Sequence, residues 1–271
     1  YNGSFTLLNG QKLIGQDATS SIAEITGLYL PPFSKPLPAL ASANATAVTI
    51  TSPANAITLT GGGTHYSIRG LSIGNKTGVG ISGNNFGNLS LAEVNISGTG
   101  QALSLSNGTI TTPAGLSTNM GTLSSTSGAY GVSLNGVSGS LVVAPGNSAI
   151  SGSTTTAFYV AGGSITLSYP GSIAGTKPVD IRNTTASNIT LSGNISAANQ
   201  GISVSGNTNS TIHFSGSSKT LTTGANTAVD ISNNTGSSIG FTGGGLVIST
   251  TVGDGFKATG AAASLTVSGT G

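Results

Sequence analysis

The sequence contains no cysteine and no tryptophan, and only 5% of its 271 residues are charged. Without cysteine, the chain has neither a disulfide framework nor a thiolate metal site. Its 8 basic residues are scattered singly, so nucleic acid is not an expected partner. No apolar run approaches the roughly 18 residues of a membrane helix, so no membrane span is expected. Residues that favour helices are also scarce, which leaves an all-β chain.

The abundant residues are glycine, with 43 positions, and the small polar residues Ser, Thr and Asn, which separate short apolar segments. Nine segments, such as "AITLTG" from Ala56 and "AVDISN" from Ala228, share one frame: small, apolar, outward, apolar, outward, turn. This period of 2 is typical of a strand with one buried face. The first inward residues recur every 21 to 29 residues and are Ile57, Val79, Leu103, Val132, Phe158, Val179, Ile202, Val229 and Phe256.

Most repeats hold a second strand about ten residues later, for example at Ile165/Leu167 and Ile189/Leu191, and then a third, weaker one. A repeat this short cannot bury its inward face alone, but stacked repeats share one long core. We therefore predict an all-β parallel β-helix, a solenoid with three short strands per coil and about nine to eleven coils. A β-sandwich or barrel is the main alternative, but hairpins do not need a fixed long period.

The first 45 residues depart from the repeat. They contain a proline-rich stretch, "LPPFSKPLPAL", and proline cannot donate to a strand ladder. We therefore divide the chain into an irregular capping region at 1–45 and a parallel β-helix at 46–271.

Four segments carry a resemblance to a known family: "LNGQKLIGQD", "AITLTGGGTHYSIRGLSIGN", "TAVDISNNTGSSIGFTGGGLVIST" and "GDGFKATGAAASLTVSGTG". They resemble the Gly/Asn/Thr-rich β-strand-repeat proteins of bacterial surfaces, which are similar to adhesin and autotransporter passenger domains. The resemblance implies a right-handed parallel β-helix in an extracellular or cell-surface protein. It carries over no catalytic residue. The calcium-binding repeat GGxGxD of a neighbouring family is absent, since "GGGTHYS" and "GGGLVIS" lack the aspartate.

One acid pair is a candidate for catalysis. Asp180 and Asp230 are outward residues of the first strand, two rungs apart, hence roughly 9–10 Å by strand spacing. That distance is close to the carboxylate separation of an inverting glycosidase. The competing interpretation is structural: Asp230 is one rung from Lys257, and Asp180 shares a face with Arg182. We expect no metal and no cofactor, and we interpret His65 and His213 as surface histidines.

Half of the asparagines begin an N-x-S/T sequon, although the alternation of turns and strands alone produces many such matches. The candidate glycosylation sites are Asn44, Asn75, Asn88, Asn95, Asn107, Asn183, Asn188, Asn194, Asn209 and Asn233.

These observations favour a non-enzymatic structural or adhesive rod over an enzyme. The alternatives are a polysaccharide-active β-helix enzyme using Asp180 and Asp230, and a glycan-binding β-helix without turnover. The last rung, "SLTVSGTG", keeps Leu265 and Val267 inward and adds no helix, proline or charge block. Because bare strand edges pair with other chains, we expect head-to-tail self-association.

Overall fold

The alternating segments form short strands with tight turns between them. The structure is a computed structural model that describes residues 1–40, 48–63, 65–260 and 264–268. Its single helix in these ranges is α1 (Ile22–Thr26). Its strands are β1 (Phe5–Leu7), β2 (Lys12–Ile14), β3 (Thr49–Ser52), β4 (Ile57–Leu59), β5 (Tyr66–Lys76), β6 (Val79–Ile96), β7 (Gln101–Thr111), β8 (Met120–Leu123), β9 (Tyr130–Val142), β10 (Ala149–Ser153), β11 (Thr156–Ala161), β12 (Ile165–Tyr169), β13 (Ser172–Gly175), β14 (Val179–Arg182), β15 (Asn188–Leu191), β16 (Ile195–Ala197), β17 (Ile202–Ser205), β18 (Thr211–Phe214), β19 (Ser218–Gly224), β20 (Val229–Ser232), β21 (Ser238–Phe241), β22 (Gly245–Thr250), β23 (Phe256–Thr259) and β24 (Ser264–Val267).

The strands stack in parallel into three faces, which confirms the predicted parallel β-helix. Sheet 1 contains β1, β4, the first parts of β6, β7 and β9, and then β11, β14, β17, β20 and β23. Sheet 2 runs from β2 through later parts of the long strands to β24, and sheet 3 includes β10, β13, β16, β19 and β22. Within the described residues, the chain makes about nine turns.

Inward side chains of the three sheets fill one core that runs along the solenoid. Val179, Ile181, Val229 and Ile239 are completely buried in it. Since each rung contributes only a few side chains, burial depends on the rung above and the rung below.

The predicted register is wrong by two residues in one rung of sheet 1. Ile57 pairs with Ile81 rather than with Val79, so the outward residue of this rung is Ser82. Gly83 takes the second inward position, close to the Cβ of Phe86, whose buried ring packs against Gly108 of the next rung. A shift of two keeps the same face inward, so alternation alone cannot detect it.

A second shift of two residues lies in sheet 2. Ile165 is buried as expected, but it pairs with Gly139, whereas Ile189 pairs with Leu167. The extra inward residue of this rung is Tyr169, which pairs with Leu191 and whose hydroxyl donates to the backbone carbonyl of Leu123 at 3.2 Å.

The N-terminal residues contribute a rung of their own. β1 pairs with β4 and β2 pairs with β5, so 1–40 includes part of the solenoid. Helix α1 follows, with Ser21 and Glu24 forming a capping box and Gly27 ending it in the left-handed conformation. The proline-rich stretch after it is exposed and contains no strand. The division at residue 45 stays a prediction.

Candidate functional site

The outer face of sheet 1 holds a column of polar side chains on consecutive rungs. In-register pairing places Tyr159, Asp180, Ser203, Asp230 and Lys257 next to one another in that order. Period 2 turns each of them outward, because their chain neighbours supply the core. The column therefore brings both predicted acids to one face, two rungs apart.

Asp180 is enclosed, which contradicts our expectation that it is exposed. Its Oδ2 lies 2.8 Å from Lys177 Nζ and 3.6 Å from Arg182 Nη2. The Arg182 guanidinium also covers the ring of Tyr159, at 4.9 Å from the centroid, and Tyr130 packs against that ring at 5.4 Å. These neighbours leave Asp180 only 5% exposed, so an outward register does not guarantee contact with solvent.

Asp230 has a different environment. It pairs in the ladder with Lys257, yet no lysine or arginine nitrogen of the described residues lies within 4.0 Å of its carboxylate. Its Oδ1 is buried and has no hydrogen-bond partner among the described residues. An unpaired buried acceptor costs about 1–3 kcal/mol, more when it is charged.

A cleft of about 180 Å³ opens beside Asp230, at the corner that precedes sheet 1. We call it the Asp230 cleft. Its polar lining residues are Lys177, Gln200, Ser203, Asn226, Thr227 and Asp230. The amide of Asn226 is fixed, since its Nδ2 donates to Asn199 Oδ1 at 2.7 Å and to the Asn199 carbonyl at 3.2 Å. The lining thus combines one cation, one unpaired carboxylate, amides and hydroxyls.

A second charged group lies on sheet 2, where α1 meets the solenoid. Glu93 accepts from Arg69 Nη2 at 2.8 Å and from the backbone and hydroxyl of Thr19. Burial acts to raise the pKa of the Glu93 carboxyl, but these hydrogen bonds outweigh it and the pKa is lowered. A hydrogen bond from the Ser21 backbone lowers the pKa of Glu24 beside it. This group joins the N-terminal segment to sheet 2.

Two lysines are buried, which our sequence reasoning missed. Lys219 is inward in sheet 3, between Ile195 and Leu246, and its Nζ donates to the carbonyls of Gly216 and Thr242 at 2.6 and 2.8 Å. Lys76 is 2% exposed, and burial lowers its pKa to about 8. The alternation signals the inward position of Lys219, because Leu221, two residues later in the same strand, is also inward.

The two histidines lie apart, with His213 on the outer face of sheet 2 and His65 before β5, and both are exposed. Among the sequon asparagines, Asn75, Asn107, Asn183, Asn188, Asn194, Asn209 and Asn233 are exposed, and Asn88 and Asn95 are partly buried. Asn44 lies outside the described residues. Their glycosylation stays a prediction.

In the described part of the chain, no three His, Asp or Glu side chains are grouped closely enough to hold a metal ion. No helix among those residues has the length and apolar character that crossing a bilayer requires. Comparisons with protein-family models, with curated proteins and with solved structures find no match to this chain.

Proposed function

We propose that the chain is a non-enzymatic structural or adhesive protein of the cell surface or extracellular space. It acts as a rod-like subunit that assembles head-to-tail into a fibre, or as the stalk of an adhesin. The resemblance to bacterial surface β-strand-repeat proteins supports this location. So does the scarcity of protease sites, because Arg69, Lys76 and Lys219 are at most 5% exposed and trypsin has few other targets.

The observation that carries the assembly is the last described rung. Its inward side chains Phe256, Leu265 and Val267 are 37%, 38% and 55% exposed. Their partners one rung earlier include Ile239 and Phe241, which are at most 1% exposed. A further parallel rung would bury these side chains and pair the strand edges. In the proposed fibre, that rung is the first one of another copy, and the contact repeats as an open filament unless its rotation closes a ring.

Sedimentation of the purified chain across a dilution series tests this assembly. Val267→Asp places a charge in the inward position and should leave a monomer at all concentrations. Val247→Asp is the matched control, since Val247 is 57% exposed and points outward in sheet 3. This variant should assemble like the unmodified chain. A monodisperse monomer of the unmodified chain at high concentration would contradict head-to-tail assembly.

A polysaccharide-active enzyme of the inverting type is the second candidate. The column of sheet 1 supports it, because Asp180 and Asp230 stand two rungs apart, roughly 9–10 Å. The enclosure of Asp180 by Lys177 and Arg182 argues against it, since a general acid or base must reach the substrate. Assays for new reducing ends with neutral and acidic polysaccharides, comparing the unmodified chain with Asp180→Asn, distinguish the two functions.

A further inference from the structure

We propose that the Asp230 cleft binds a neutral, multiply hydroxylated ligand, namely a sugar unit of a polysaccharide that lies along sheet 1. This inference rests on the proposed surface function and deepens it by naming the ligand class of the adhesive face. Binding in this cleft requires neither catalytic turnover of the sugar nor head-to-tail assembly of the chain.

In the described part of the chain, Asp230 has no hydrogen-bond or ion-pair partner for its buried Oδ1. Asp180, two rungs below, is neutralised by Lys177 and Arg182, whereas the carboxylate of Asp230 has no cation within 4.0 Å in the described residues. A carboxylate held without a partner on an ordered face costs stability, and an unsatisfied polar group of this kind calls for an explanation. Oδ1 itself is buried, but Asp230 lines the cleft, so the hydroxyl groups of a ligand there would donate to the accessible part of its carboxylate.

The polar lining of the Asp230 cleft matches the hydroxyls of a sugar. Gln200 contributes an amide, and Ser203 and Thr227 contribute hydroxyls, all of which both donate and accept hydrogen bonds, as the hydroxyls of a sugar do. Asn226 contributes an acceptor, its Oδ1, because its Nδ2 donates to Asn199. The volume of about 180 Å³ equals roughly six waters at about 30 Å³ each, which is room for one small polar ring rather than a large apolar molecule.

The charges that line the Asp230 cleft favour a neutral ligand, and the column of sheet 1 favours one that extends along the solenoid axis. An anionic ligand would meet the unpaired carboxylate of Asp230, and a metal cation would meet the ammonium of Lys177 in a cleft with few carboxylates. A neutral ligand avoids both repulsions. Beyond Asp180 and Tyr159, the column continues along the axis with the hydroxyls of Ser133 and Ser104. Its spacing of about 4.7–4.9 Å per rung suits an extended chain with its own repeating hydroxyls.

Binding can be measured by isothermal titration calorimetry of the full chain with neutral gluco-, manno- and galacto-oligosaccharides, and with polygalacturonate and a sulfated glycan as charged probes. We expect saturable binding of a neutral oligosaccharide. Asp230→Asn and Ser203→Ala should each weaken it, Asp230→Asn by about tenfold or more because a charge-assisted hydrogen bond is lost. Ser196→Ala is the matched control: Ser196 is exposed on the outer face of sheet 3, away from the column of sheet 1 and from the Asp230 cleft, and this variant should bind normally.

Thermal unfolding of the same variants separates a binding role from a structural one. If Asp230 serves binding, Asp230→Asn unfolds at the same or a higher temperature while its affinity falls. Binding that survives Asp230→Asn, binding of the charged probes alone, or no binding of any neutral oligosaccharide would overturn the proposal. Failure of the sedimentation test would leave it intact, because the cleft and the last rung are separate surfaces.

Discussion

At the scale of single residues, one backbone position at the corner between sheets 1 and 2 decides which residues the chain tolerates. In successive coils this position has a φ between 51° and 79°, the left-handed region. Only glycine and asparagine occupy it, since they adopt this conformation at little cost. The residues are Gly62, Asn85, Asn107, Gly136, Gly162, Asn183, Gly206, Asn233 and Gly260.

Gly206→Ala should destabilise the fold by about 1–3 kcal/mol, from left-handed strain and from crowding. A Cβ at Gly206 would lie 2.4 Å from Asn183 Oδ1 in the rung below. Gly224→Ala is the control, because Gly224 has φ +58° but nothing within 4 Å of its Cβ position. Urea titrations should give a lower free energy of unfolding for Gly206→Ala than for Gly224→Ala. Equal losses for both would show that contact with Asn183 contributes nothing.

Lys76 makes stability depend on pH. Burial lowers its pKa in the folded state to about 8, against an ordinary value of 10.5. Between these values the unfolded chain binds more protons than the folded chain, so the free energy of unfolding should rise with pH. We expect this rise from about pH 8 to pH 10 in urea titrations, and a smaller one in Lys76→Met. A stability that falls with pH in this window would contradict the assignment.

At the scale of elements, the corner after sheet 1 is held by polar side chains that point into the solenoid. Asn207 Oδ1 accepts from the backbone of Thr184 at 2.9 Å, and Asn207 Nδ2 donates to Asn234 Oδ1 at 2.8 Å. Ser187, Ser210 and Ser237 form a parallel series, in which each hydroxyl accepts from a backbone amide of the rung below. These contacts satisfy corner backbone groups that no sheet pairs.

Asn207→Ala should therefore cost about 2–4 kcal/mol, because it leaves buried groups on both neighbouring rungs without partners. Asn188→Ala is a suitable control, since Asn188 is exposed at the start of β15. Chemical denaturation should show a lower free energy of unfolding for Asn207→Ala and an unchanged value for Asn188→Ala. A loss of similar size in both variants would mean that the buried ladder adds little.

The sequence predicted elements better than their exact partners. Alternation identified the inward residues of sheet 1, such as Ile181 and Ile231, because a period of 2 leaves one choice of face. It could not separate Val79 from Ile81, which share a face, nor reveal that Asn207 points inward after the strand has ended. It placed Asp180 and Asp230 in one column and Arg182 beside Asp180, but it did not identify Lys177, which precedes the strand and reaches Asp180 only through side-chain packing at the corner.

At the scale of the whole molecule, each rung contacts only its neighbours, so stability is a local property along the axis. The burial of inward residues follows this rule: Ile239 is completely buried between two rungs, whereas its partner Leu265 in the last described rung is 38% exposed. A single cooperative globule would lose stability everywhere after either residue is truncated. A linear array should respond near the site of the change.

Hydrogen exchange at a concentration where the chain is monomeric tests this. Ile239→Ala removes a fully buried side chain, which costs about 2–5 kcal/mol, and should speed exchange in β18 to β24 while leaving β7 and β9 protected. Leu265→Ala should change exchange in β24 alone, because little apolar area is lost there. In the unmodified chain, protection should fall from the central coils toward β23 and β24. Uniform protection along the chain, or a response of β9 to Ile239→Ala, would show that the solenoid unfolds as one unit.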